Sequence, residues 1–324
     1  MPGGAADKLN PTDNINPEDL SDIWDFGRHL ASNGVKTSIY FGETAMSIVY
    51  LPSFTPAVLP CGNLASVFFS PQESPPGITI RNVTDTLILP AHNLREDTLA
   101  GVKISRHIGG YDFSLSYVMG RDDLPLAQKI TFTPTGTPGE ADVSTELIFP
   151  RMAVTGIDAA GMIGGMGFWA EAAVVDPEKV TLITDLSDFG MGVQETEILG
   201  RPYVKYVIGT DYTFKNGIYF NAQYLHGFFH ECGRDRLEDY LTGRVEWKSS
   251  DEKIVIPVSL CLEVKDVRNI RDNYAYVLSP ELVCRPADNM DLVFGVRWID
   301  GTNNSTFGKL KDNDEIYFQA KFSF

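Results

Sequence analysis

His226, His230 and Cys232 follow one another as H-x3-H-x-C, side chains that hold zinc or copper when brought into one coordination sphere. On a helix the two imidazoles would stack on adjacent turns. On a strand, four residues extend about 13 Å, too far to share an ion whose ligand bonds are about 2 Å. The flanking run IYFNAQYLHGFF reads as strand, so no metal site is expected there. The acidic groups Asp312, Asp314 and Glu315, and Asp13, Glu18 and Asp19, lack the spaced ligands and central glycine of a calcium loop, and read as solvated loop charge. Gly164, Gly165 and Gly167 precede Phe168 and Trp169 on a strand rather than a helix, which is the wrong context for a phosphate cradle. None of His29, His92, His107, His226 and His230 is spaced as the base of a serine or cysteine nucleophile. Cys61, Cys232, Cys261 and Cys284 stand far apart with no C-x-x-C pair. No cofactor, metal or catalytic residue is implied.

The more coherent chemistry is a row of charges: Glu171, Lys205, Asp211, Arg244, Glu246, Glu263, Glu281, Arg285, Asp291, Arg297 and Lys321. On one face of a sheet they would line a lumen, where rings of charge set ion preference or opposite charges pair across strands. The elements that must carry them are strands. From Lys253 to Lys265, Ile254, Ile256, Val258, Leu260, Leu262 and Val264 alternate with Ser259, Glu263 and other residues of a mixed face. The run outlasts an ordinary strand and suits a tilted bilayer crossing, for which about 9–11 residues suffice. Asn273–Arg285, Met290–Asp300, Leu241–Trp247 and the carboxyl-terminal run with Ile316 and Phe318 repeat the pattern. Pro257 and Pro280 interrupt it and predict local bulges.

Short turns are expected at Phe214–Gly217, Ser250–Glu252 and Pro286–Asn289, and long links at Val175–Leu199, Glu231–Glu238, Asp266–Asp272 and Gly301–Asp314. That sorting of loops by end is the asymmetry of an outer-membrane barrel. Upstream, the same grammar places Val35–Phe41, Ala45–Leu51, Thr98–Arg106, Asp112–Gly120, Ser144–Gly156, Gly161–Val174, Arg201–Thr213 and Gly217–His230, with one turn at Ile157–Ala160. The total is about thirteen strands, whereas bacterial single-chain barrels close with an even number. Together with the absence of a signal peptide at Met1–Asp7, the odd count leads to the expectation that amino-terminal strands precede the sequence.

Acidic residues outnumber basic ones 43 to 27, for a net charge of −16, which excludes a nucleic-acid partner. The most apolar stretch, Met162–Val175, is broken by Glu171 and falls short of the about 18 apolar residues of a membrane helix. Strands escape that criterion because they alternate.

A chain ending in alternating aromatics, here Phe318, Phe322 and a terminal Phe324, resembles a Gram-negative outer-membrane barrel. That resemblance implies an assembly signal read by the barrel-assembly machinery, and outer-membrane lipid as the surrounding partner. The segment Ala6–Leu20, with Phe54–Pro60 and Gly120–Pro125, is similar to uncharacterised porin-like barrels of proteobacteria. There the first segment follows a strand ending in Trp-Gly, which this sequence lacks. The likeness spans most of the chain, and its motifs imply structure without chemistry.

The expected fold is therefore all-β: a transmembrane, antiparallel up-and-down β-barrel over residues 34–324, preceded by a lumenal or periplasmic segment, residues 1–33. Pro17–Ser32 reads as a short helix, and the proline-rich Pro52–Glu96 as a long loop insertion, folded into the lumen or lying on the surface. The expected function is passive transport of small solutes or apolar compounds across the bacterial outer membrane, without catalysis. The alternatives are an outer-membrane, lipase-like enzyme on a closed barrel and a soluble β-rich binding protein.

Overall fold

The computed structural model describes residues 10–25, 27–60, 75–265 and 267–323. Thirteen strands form one sheet: β1 (Val35–Phe41), β2 (Thr44–Leu51), β4 (Leu99–Ile108), β5 (Tyr111–Arg121), β8 (Arg151–Ile163), β9 (Met166–Pro177), β12 (Tyr203–Thr213), β13 (Tyr219–His226), β14 (Asp239–Lys248), β15 (Ile254–Val264), β16 (Tyr274–Ala287), β17 (Met290–Gly301) and β18 (Glu315–Phe322). Each pairs antiparallel with the next in that order, so the sheet is an up-and-down meander. β1 and β18 are its two edges. The remaining five, β3 (Thr79–Ile88), β6 (Leu126–Pro134), β7 (Glu140–Ile148), β10 (Val180–Leu186) and β11 (Gly192–Leu199), form a second sheet in the order β11-β10-β6-β7-β3.

Loop lengths sort by end. At one end lie tight turns such as Gly109–Gly110 and Gly164–Gly165. Both glycines of the latter turn have positive φ, 59° and 87°, the backbone that a two-residue hairpin with the sheet's own twist demands. The turn expected at Ile157–Ala160 is therefore displaced: those residues lie inside β8, and the paired glycines make the bend. At the other end every connection is long, and three of them carry the second sheet. Residues 52–98 hold β3, residues 122–150 hold β6 and β7, and residues 178–202 hold β10 and β11. The expected strand Ser144–Gly156 is thus two strands, β7 and β8, in different sheets, parted at Pro150.

The two prolines do not make bulges. Ile254 opposite Cys284, Val258 opposite Pro280 and Val264 opposite Tyr274 belong to one unbroken register. The ladder loses bonds where a proline has no N–H to give and then resumes. Nor is Pro17–Ser32 a helix. Glu18 bridges His29 antiparallel and Asp19 bridges Val58 parallel, while Asp22 accepts from the Trp24 N–H in a local turn. Such turns and Gly27, at φ 77°, favour an extended, folded-back segment over helix.

The outward rows of the large sheet are apolar and exposed, among them Ile208, Leu241, Trp247, Leu260, Phe294, Trp298 and Ile316, the last at 85%. Aromatic residues gather near both ends of the strands: Tyr206 with Tyr224 and Tyr276 with Trp298 towards the long loops, Tyr212 with Phe214 and Phe294 with Phe318 towards the tight turns. An apolar band between aromatic girdles is what lipid requires of a barrel wall. No helix among the described residues is long and apolar enough to cross a membrane. The wall faces lipid, with the backbone of each interior strand paired to a neighbour on both sides.

The sheet curls around the segment 10–32. Ile15 packs on Val49, Leu51 and Val118 of β2 and β5, while Ile23 joins Val207, Leu225, Ala275 and Ile299 of β12, β13, β16 and β17. Strands far apart in the sheet order therefore meet across one short stretch of chain. The fold is an up-and-down β-barrel whose lumen is occupied.

Candidate functional site

The lumen is filled from three directions. The segment 10–32 crosses it: Thr12 donates to Glu171 at 2.9 Å, and Trp24 lies under the Arg297 guanidinium, 4.6 Å from the ring centroid. Gly156 on β8 makes room for this strap, since a Cβ there would stand 2.7 Å from the Thr12 methyl carbon. The link 302–314 folds inward as a 3-10 turn, Phe307–Leu310, pinned by Glu263, whose carboxylate accepts the Thr306 N–H at 2.6 Å and the Phe307 N–H at 2.8 Å. The link 227–238 brings Phe228 against Tyr240 and Phe307, and its carbonyls at Phe228 and Phe229 receive the Lys205 ammonium at 2.8 and 3.1 Å.

Each residue of the charged row sits on an inward-facing position, and they divide by height. Towards the tight turns they pair along the wall. Arg244 meets Glu246 at 2.6 Å, Lys248 meets the same carboxylate at 3.1 Å, and Arg285 meets Asp291 at 3.2 Å. Tyr219 donates to Asp211, Tyr317 donates to Glu281, and Lys321 stands opposite Asp291 in the ladder. Towards the long loops Glu171, Lys205, Glu263 and Arg297 instead hold the inserted segments; Arg297 also pairs with Glu315. Sequence reading missed Asp158, which pairs with Lys103 at 3.1 Å and accepts from Ser114, because the misplaced turn at 157–160 hid the inward row of β8. Of the carboxyl-terminal aromatics, Phe318 and Phe322 lie on the outward row of β18, and Phe324 falls outside the described residues.

Beside the strap lies a cavity of about 100 Å³, walled by Asp13, Glu18, His29, Asp122, Asp123 and Lys205 among others. Asp13 and Glu18 are therefore not solvated loop charge, as the sequence suggested: folding of the strap into the barrel buries both. The Glu18 N–H donates to Asp123 at 2.6 Å, so a carboxylate from the β5–β6 link grips the strap's backbone. Burial, then the nearby Asp123 and Asp13 carboxylates, push the Glu18 carboxyl up to about 8. Burial likewise raises Asp122, and burial followed by the Asp122 carboxylate raises Asp123. Glycine-flanked Gly120–Pro125, a motif with no chemistry in the sequence, supplies these two acids. In the 227–238 link, burial followed by Lys205 pulls the His230 imidazole down to about 3. His226 faces outward, stacked on Tyr206 and bonded to Asp239 at 2.7 Å, whereas His230 packs on Phe228 and Phe229, so the two imidazoles serve different surroundings. No grouping of three metal-binding side chains occurs among the described residues.

An apolar band outside, a charged lining within and strands joined by loops sorted by length settle the setting. The protein is an outer-membrane β-barrel. No family model and no curated protein matches the chain. Among solved structures, it is similar to the Pseudomonas putida toluene transporter TodX, at 10% identity and TM-score 0.38, over 100% of this chain and 87% of that one. It is also similar to the outer membrane channel DcaP of Acinetobacter baumannii, at 10% identity and TM-score 0.29, over 70% of this chain and 85% of that one.

Proposed function

We propose that the barrel is a porin-like channel for passive passage of small solutes, with the strap 10–32 and the links 227–238 and 302–314 narrowing its lumen. The observation that carries this reading is the inward charged row, which persists below the inserted segments as paired side chains lining the wall towards the tight turns. A barrel filled only for stability would gain from apolar packing there, because buried ion pairs repay their desolvation poorly. Polar residues in the lower lumen keep water there, and water is the route of a solute. The cavity beside the strap would be the upper station of that route, entered when the strap shifts. The charged pairs Arg244–Glu246 and Arg285–Asp291 on that side of the wall would then tune which ions pass.

Reconstitution in a planar bilayer tests it. Discrete current steps are expected, with ion preference altered by Glu246→Gln. A folded, heat-modifiable barrel that stays silent at every voltage, and also when the strap is loosened by Trp24→Ala, refutes the channel and leaves an occupied barrel of other purpose.

A further inference from the structure

The cavity beside the strap has a chemistry of its own. Asp13 has a side chain only 9% exposed, and its Oδ1 has no hydrogen-bond partner. The His29 imidazole Nε2 lies 3.8 Å from Asp13 Oδ2, beyond hydrogen-bond reach. Ser32 Oγ, on the same wall, is also buried without a partner. A buried carboxylate oxygen left unmatched costs free energy until a donor reaches it.

The other charges facing the cavity are already engaged. From the strap, Glu18 has His29 Nδ1 at 3.9 Å, and that nitrogen lies 3.2 Å from the Asn16 carbonyl. From the 52–98 link, Asp97 accepts the Phe54 N–H at 2.9 Å and pairs with His92. From β5 and its link, Arg121 is taken up by Glu96 and the Phe149 carbonyl, Asp122 accepts the Leu124 N–H at 3.1 Å, and Asp123 accepts the Glu18 N–H. From β12, Lys205 is directed at the two carbonyls of the 227–238 link. Lys205 acts on Glu18, Asp122 and Asp123 as a nearby charge, but its hydrogen bonds go to the 227–238 link and those of Arg121 to Glu96 and Phe149. What the space lacks is a donor within hydrogen-bond reach of Asp13 Oδ1 and Ser32 Oγ.

We propose that this cavity binds a small organic cation, a primary ammonium, with Asp13 as its principal partner and the Glu18–Asp123 pair and Ser32 completing the ring of acceptors. The proposal deepens the channel reading and rests on it, since it names the class of solute that halts on the route. The volume, about 100 Å³, has room for an ammonium on a short chain. A primary ammonium brings three donors and no acceptor, the complement of this lining.

Proton linkage follows from the same geometry. The Glu18 carboxyl, pushed up to about 8, holds a proton at neutral pH in the empty cavity. A bound cation favours its ionised form, so binding releases that proton. Affinity should therefore rise with pH and level off above about 8, by about tenfold per unit between about 7 and 8 for the proton of Glu18 and more steeply below about 7, where Asp123 also holds a proton.

Isothermal titration of the full chain in detergent micelles with ethanolammonium chloride tests this, with ethylene glycol as the neutral control of matching shape. Saturable ethanolammonium binding, strengthening from pH 6.5 to 7.5 and weakened about tenfold or more by Asp13→Asn, is expected, with no binding of ethylene glycol. Equal binding of the two probes, or ethanolammonium binding indifferent to Asp13→Asn and to pH, overturns the proposal. If Asp13→Asn does not fold, Ser32→Ala and Glu18→Gln take its place: the first is expected to weaken binding, the second to flatten its pH dependence. Current steps without ethanolammonium binding overturn this inference alone, whereas binding to a barrel that never conducts overturns the channel reading alone.

Discussion

Removing the Glu263 carboxylate should release the inward link 302–314. The side chain is 0% exposed and accepts two backbone N–H groups, from Thr306 at 2.6 Å and Phe307 at 2.8 Å. A hydrogen bond to a charged group contributes roughly 1.5–3 kcal/mol, so the pair contributes roughly 3–6 kcal/mol to docking the link. Phe307 and Leu310 remain buried against Phe228, Tyr240 and Ile299, and each apolar side chain contributes roughly 1.5–3 kcal/mol. Glu263→Ala therefore removes about half of what holds the link, which should fluctuate in and out of the lumen. Glu263→Gln keeps one acceptor and should have an intermediate effect. In single-channel recordings the Ala variant is expected to show larger, flickering steps, and limited proteolysis should cut the link faster than in the parent. Unchanged conductance together with unchanged cleavage would refute the idea that this carboxylate is a clamp, and with it the assignment of the link as part of the constriction.

Leu260 lies midway along β15 on the outward row, so Leu260→Arg should destabilise the barrel in lipid by roughly 2–4 kcal/mol in urea unfolding, whereas inward Ser259→Ala should be nearly neutral. Because the folded Glu18 carboxyl titrates near 8 rather than at its ordinary 4.5, the docked strap binds the proton more tightly than the free strap does. Docking should thus weaken as pH rises from 4.5 to about 8 and stay constant above that, seen as growing open-channel noise that Glu18→Gln abolishes. A Cβ at Gly156 would stand 2.6 Å from Ser116 Oγ and 2.7 Å from the Thr12 methyl carbon. Gly156→Ala should therefore displace the strap and raise conductance while the barrel keeps its resistance to unheated detergent.

The wall was legible in the amino-acid sequence because its cause is local. A strand that meets lipid on one side and a polar lumen on the other must alternate, and Ile254, Ile256, Val258 and Leu260 carry that alternation without reference to any partner. The same rule is the ground for expecting the charged row, from Glu171 to Lys321, on the inward face. What fills the lumen was not legible, because nothing local distinguishes a buried Asp13 or Glu18 from a solvated one until the strap is folded inside the barrel. The second sheet escaped for a related reason. β6–β7 and β10–β11 are local hairpins, but β3 pairs parallel with β7, and β10 with β6, across long stretches of chain, and no turn signal announces those pairings that join them into one sheet. Sequence alone determined most strands of the wall, β8 excepted, and which way their side chains face, since pleating acts residue by residue. Only the tertiary structure decided which segments enter the lumen and which carboxylates lose water there, since both depend on contacts between residues far apart in the chain.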